Sequence, residues 1–161
     1  MARGAQRDAR EQLVRRAVDE SGTSPSNQVE LQLSAPRLFE NWLIRHNSFR
    51  RGVALRFNGG ATHRNFRVIG NVGYESDCDL ATAGVTWAYN VWMDKTCNGT
   101  ERQVGSLPYV STAIGAEDFH LTGGVAQDLV TPAGADYALA SDIDGHARPL
   151  GGARDAGADE R

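Results

Sequence analysis

NFRVIGNVG (residues 65–73) has two near-copies in the same chain, NWLIRHNSF (41–49) before it and GVTWAYNVW (84–92) after it. Asn47, Asn71 and Asn90 occupy the same place in each copy, 24 and then 19 residues apart. A second feature keeps the same step. In VELQLS (29–34) and VALRFN (53–58) apolar and polar residues alternate, and Val29 recurs 24 residues on as Val53. Period-two alternation marks strands with one buried face. Two separate features recurring at one interval, in one order, mark a repeat architecture. The long amphipathic helices of helical solenoids and the LxxLxLxxN pattern of leucine-rich repeats do not fit these copies. Each copy instead holds two short strands and a polar turn. Stacked at the ~4.8 Å strand spacing, such units make a parallel β-solenoid. Trp42, Phe66 and Val85 then align inside, as do Ile44, Val68 and Trp87, while Leu43, Arg67 and Thr86 point outward. Asn47, Asn71 and Asn90 stack at a corner, where amide can bond to amide along a structural ladder.

The rest of the 161-residue chain fits one domain. Its 40% hydrophobic residues and 18 glycines favour short strands and turns. A net charge of −3 gives no global attraction to nucleic acid. The early arginines of MARGAQRDAREQLVRR (1–16) are interleaved with acids and read as a solvated helix face. Ala9, Leu13, Val14 and Ala17 fall at helical spacing, which predicts a helix over 5–20, and SGTSPSN (21–27) is a loop by composition. The expected division is 1–27, a capping or non-native helix with linker; 28–115, the coils; and 116–161, a closing tail. No stretch approaches the ~18 apolar residues of a membrane span. The opening segment also lacks the apolar core of a signal peptide. No GxxxxGK[ST], GxGxxG or GxSxG stands in the chain, so neither nucleotide chemistry nor a serine nucleophile is supported.

Residues 28–161 resemble the C-terminal part of secreted bacterial right-handed parallel β-helix proteins of the pectate-lyase-like superfamily. The (N)xxIxxNxF phrase carries the resemblance, with DFHLTGG (118–124), DIDGHARP (142–149) and DAGADE (155–160). The departure is VAQD at 125–128, where SPAxD is usual. The resemblance implies an all-β fold: a short right-handed parallel β-helix with an N-terminal helix and an irregular tail that folds back and closes it. It implies an extracellular or cell-surface location and a chain that reads as the later part of a longer one. It also implies that Cys78 pairs with Cys97; their 19-residue spacing alone leaves two free thiols open as well.

Its activity would be carbohydrate-associated, without an intact active site in this piece. A polysaccharide lyase or glycoside hydrolase and a structural or adhesive surface solenoid are the alternatives. In lyases of this kind, acids on adjacent coils hold Ca²⁺ against an acidic sugar, and a basic residue removes a proton. Glu75, Asp77 and Asp79 in YESDCDL are the metal candidates for Ca²⁺, against a solvated loop. Arg56, Arg67 and His63 are the catalytic candidates, and His46 reads as a turn residue. Asp142, Asp144, Asp155 and Asp159 resemble a metal cluster on paper, but DIDG is also ordinary Asx-turn chemistry, which is favoured. Asn98-Gly99-Thr100 has the glycosylation pattern and reads as a turn. The expected partners are a polysaccharide, no nucleic acid, and other copies through an open solenoid end.

Overall fold

The computed structural model describes residues 8–9, 29–33, 40–50, 53–57, 63–76, 84–113 and 115–161. It is built of short strands: β1 (Asp8–Ala9), β2 (Val29–Leu33), β3 (Leu43–Arg45), β4 (Val53–Phe57), β5 (Phe66–Ile69), β6 (Val72–Gly73), β7 (Val85–Ala88), β8 (Val91–Trp92), β9 (Arg102–Gln103), β10 (Tyr109–Ser111) and β11 (Asp118–Leu121). Three sheets are purely parallel: β1-β3-β5-β7, β2-β4 and β6-β8-β9. Their registers reproduce the sequence interval. Val29 pairs with Val53, Ile44 with Val68 and Val68 with Trp87. The fourth sheet, β10-β11, is antiparallel and joins residues on either side of position 115. Among the described residues no helix is long and apolar enough to cross a membrane.

Each copy turns two corners, and both need a left-handed residue. Asn41, Asn65 and Gly84 take φ of 61°, 51° and 82° before β3, β5 and β7. His46, Gly70 and Tyr89 take φ of 49°, 63° and 57° after them. Asparagine and glycine enter this region most cheaply. At Gly84 a Cβ would also stand 1.6 Å from the His63 carbonyl oxygen. This explains why the quoted phrase begins on Asn or Gly and turns just before its later Asn.

The buried corner carries a one-way ladder. Asn47 Nδ2 donates to Asn71 Oδ1, and Asn71 Nδ2 to Asn90 Oδ1, both at 3.0 Å. The backbone N–H of Asn47 and of Asn71 donates to the same acceptors. Asn90 passes the ladder to Glu101, a buried carboxylate that also accepts from Trp92 Nε1 and the Cys97 N–H. Glu101 thus ends the ladder with an acceptor that needs no further partner above it. On the exposed corner Asn65 Nδ2 donates to Asn41 Oδ1 at 2.8 Å.

Asn71→Ala should cost about 3 kcal/mol, because Asn47 N–H, Asn90 Oδ1 and the Ile44 carbonyl lose a partner inside the protein. Asn65→Gly keeps its left-handed backbone and removes only an exposed rung, for about 1 kcal/mol or less. Urea midpoints of the two variants test this. Equal shifts would remove the ladder from the stability argument.

Inside the stack lie Ile44, Phe49, Phe66, Val68, Trp87 and Trp92, with Trp42 and Val85 packed against them. Trp42 stacks on Phe66 with ring centroids 6.2 Å apart. The two sides of the stack are then covered. The β10-β11 hairpin and the tail bury Tyr109, Phe119, Leu121, Val130 and Ala156 with Val72 and Val91. Tyr137 lies over Leu43, Ile69 and Ala88.

One expectation needs correction. Asp8 and Ala9 do not continue a helix: they form β1, paired with Leu43 and Ile44. The exposed backbone edge of β3 offers hydrogen bonds that a narrow apolar stripe does not outcompete. The remainder of 1–27 lies outside the described residues. The row Leu43, Arg67, Thr86 is in register, with Leu43 packed apart from the inner cluster, and the tail covers all of it but Thr86, the one residue of the three that is exposed. Arg45 donates to the Ala135 carbonyl and Arg67 pairs with Asp136, so the tail lies across this face.

Candidate functional site

The same repeat that stacks the asparagines lines a cleft three residues later. Arg50, Tyr74 and Met93 follow Phe49, β6 and β8 at equivalent places in successive copies. They form one side of a cleft of about 380 Å³, and the segment from Ser106 to Thr112 forms the other. Arg50 is steered by a bond from Nε to the Thr112 carbonyl, 2.9 Å. Tyr74 and Val110 are 37% and 57% exposed, so an aromatic ring and an aliphatic wall meet solvent here. Among the described residues the lining offers one guanidinium and the hydroxyls of Ser106, Ser111 and Thr112, and no carboxylate. Such a surface can hold a polar ring molecule by stacking and hydrogen bonds. Among the described residues it supplies no acid–base pair for hydrolysis.

Of the candidates named in the sequence analysis, Arg67, His63 and Glu75 do not line this cleft. Arg67 is tied to Asp136 with its side chain 14% exposed, so it is not poised as a base. His63 is buried edge-on to Phe66, and burial lowers its pKa. Arg56 lies on β4, whose side chains are outside the described residues. Glu75 is half-buried beside Ser76; Asp77 and Asp79 lie outside the described residues. Cys97 is disulfide-bonded, and the chain's other cysteine, Cys78, lies outside the described residues.

No family model, curated protein or solved structure matches the chain. Its own geometry therefore has to carry the functional reading.

The tail brings together a second set of polar groups. His46 sits at the turn after β3 with a left-handed φ, and it is fully buried there because the tail closes over its corner. Its Nε2 lies 3.1 Å from the Tyr137 carbonyl, and its Nδ1 lies 3.1 Å from the Asp155 carbonyl and 3.0 Å from Arg148 Nη1. Burial first, then the Arg148 charge, lowers its pKa to about 3. A neutral ring can donate to only one of its two carbonyl neighbours: donating from Nε2 to Tyr137 leaves Nδ1 to accept from Arg148, with the Asp155 carbonyl beside it. Arg148 also donates to the carbonyls of Gly157 and Asp159 and pairs with buried Glu160.

The four tail aspartates separate. Asp155 accepts from the N–H of Asp128 and of Arg161. Asp142 accepts from the N–H of Asp144 and of His146, the Asx turn expected for DIDG. Asp144 and Asp159 approach His120 on β11. His120 sits between Asp118 at Nδ1 and Asp144 at Nε2, and these two bonds raise its pKa. Two groups have ligand atoms close enough to hold a metal ion: His120, Asp144 and Asp159, and Asp142, Asp144 and His146. Nothing in the local sequence marks His120 as their meeting point; its partner Asp118 is the only member close by in the chain.

Proposed function

We propose that this chain is the closing end of a right-handed parallel β-helix and that it binds carbohydrate without catalysing its cleavage. One observation carries the binding: the repeat places Arg50, Tyr74 and Met93 in a row along a solvent-open cleft. A sugar ring can stack on Tyr74 while its substituents reach Arg50 and the hydroxyls opposite. The parallel registers and the asparagine ladder support the β-helix reading. The disulfide at Cys97 supports an oxidising, extracellular or cell-surface location.

A binding and turnover panel of acidic and neutral polysaccharides, with and without Ca²⁺, tests the proposal. Binding without unsaturated product, read by ultraviolet absorbance, is the expected result. Tyr74→Ala should weaken binding by about tenfold, the loss of ~1.4 kcal/mol of ring stacking. Arg67→Met, remote from the cleft lining, should leave affinity unchanged while lowering stability. Calcium-dependent unsaturated product would make the chain a lyase. A folded chain that binds none of the panel would leave a structural or adhesive solenoid as the better reading.

A further inference from the structure

We propose that His120, Asp144 and Asp159 form a binding site for a divalent transition-metal ion, with Zn²⁺ as its natural probe. The three residues come from three separate segments: strand β11, the 142–146 turn and the final tail. One ligand atom from each lies within 4.8 Å of the other two. His120 is presented as metal-bound imidazoles are. A carboxylate, Asp118, holds Nδ1, and Nε2 is directed at Asp144 Oδ2, 2.9 Å away. A metal at ~2.0–2.2 Å from each donor would spread that pair by a few tenths of an ångström.

Asp159 supplies a second and independent reason. Its residue is 4% exposed, and one carboxylate oxygen accepts the Leu121 N–H at 2.7 Å. Among the described residues no cationic side chain forms an ion pair with it, His120 included. A carboxylate withdrawn from water without a countercharge is costly. A metal ion shared with His120 and Asp144 supplies that charge where a direct His120–Asp159 pair does not form.

The donor set selects the metal. One imidazole and two carboxylates suit Zn²⁺ and its neighbours, whereas Ca²⁺ takes about six to eight oxygens. Three protein donors also leave one tetrahedral position for water. The ion would fasten β11 to the tail that covers the stack. Asp142 and His146 form a second group with Asp144, so they define the competing arrangement.

The test is calorimetric titration of the tag-free full chain with Zn²⁺ after chelator treatment, with Ca²⁺ as competitor. One Zn²⁺ per chain is expected, not displaced by equimolar Ca²⁺. His120→Gln and Asp144→Asn should each weaken it at least tenfold. Asp118→Asn, which removes the group behind the imidazole and no ligand, should weaken it about ten- to hundredfold. His146→Gln should leave affinity within about twofold. Circular dichroism of each variant separates loss of binding from loss of fold, and the exposed Asp144 is the substitution least expected to unfold the chain. Zn²⁺ binding that survives both His120→Gln and Asp144→Asn, or a folded chain that takes up no Zn²⁺, overturns the proposal. Loss with His146→Gln alone would overturn it in favour of the Asp142–Asp144–His146 group.

Discussion

Arg148→Met is expected to lower the free energy of unfolding by about 3–5 kcal/mol, more than any other single substitution considered for this protein. The methionine preserves much of the side-chain volume, so the loss would be one of charge and hydrogen bonding. The Arg148 and Glu160 side chains are both 0% exposed, with Nε and Oε2 3.4 Å apart, an ion-pair distance longer than a good hydrogen bond. The guanidinium also donates to the Gly157 and Asp159 carbonyls at 2.9 and 2.8 Å. Glu160 in turn accepts from the N–H of Leu150 and Asp155. Burial already pushes the Glu160 pKa up, and Arg148 is among the groups holding it down. Without the guanidinium, Glu160 must bind a proton or remain a buried, unpaired anion. Two carbonyls also lose their donor. Arg148→Lys should cost less, since it keeps the charge but not the fork that reaches several acceptors at once. Urea unfolding followed by tryptophan fluorescence measures both. A loss below about 1 kcal/mol for the methionine variant would mean that the tail is held by its apolar contacts alone.

The parts legible in the sequence are those that repeat. Asn47, Asn71 and Asn90 could be matched because stacking demands the same corner at the same step, and the observed bonds run between those residues. Arg50, Tyr74 and Met93 were legible by the same rule, three positions on. Their chemistry differs from one copy to the next, so no shared residue type marks the row. Glu101 breaks the spacing, coming 11 residues after Asn90. It is an acceptor where the ladder ends, so no pattern of asparagines could announce it. The tail has no period at all. That Arg67 would meet Asp136 and lose its access to solvent depends on where residues 130–137 cross the sheet. Alternation predicts only which way Arg67 points. Likewise His120 and Asp118 are neighbours on a strand, but Asp144 and Asp159 reach them through the path of the tail. Local periodicity encodes the stack; the docking that builds the polar sites is encoded in single, non-recurring contacts.

Acid should loosen that docking through His46. Its pKa falls from an ordinary value of about 6.5 to about 3, chiefly through burial and next through Arg148. Between those values the unfolded chain holds a proton that the folded chain does not, so stability falls as the pH falls. At about 1.4 kcal/mol per unit, the loss by pH 3 is on the order of 4 kcal/mol for this group alone. Protonation would let Nδ1 donate to the Asp155 carbonyl but would set its N–H against Arg148, which now donates there, in a buried site. Other groups act in the same range. Burial raises the pKa of Asp155 and Glu160, so each contributes stability that grows as the pH falls through its own titration. His120, raised by Asp118 and Asp144, contributes stability below about pH 6.5 that is lost on going higher. Asp118, held low by the N–H and ring of His120, loses its small contribution in acid.

The His46 leg is isolated by comparison with His46→Asn, which does not titrate and tolerates the left-handed φ of 49°. That variant starts from lower stability, because a buried ring is lost. Its urea midpoint should nevertheless change much less between pH 6.5 and 4.5 than that of the parent chain. Parallel midpoint curves for the two proteins would show that His46 titrates normally in the folded state, and the buried, tail-covered corner described for it would then be wrong.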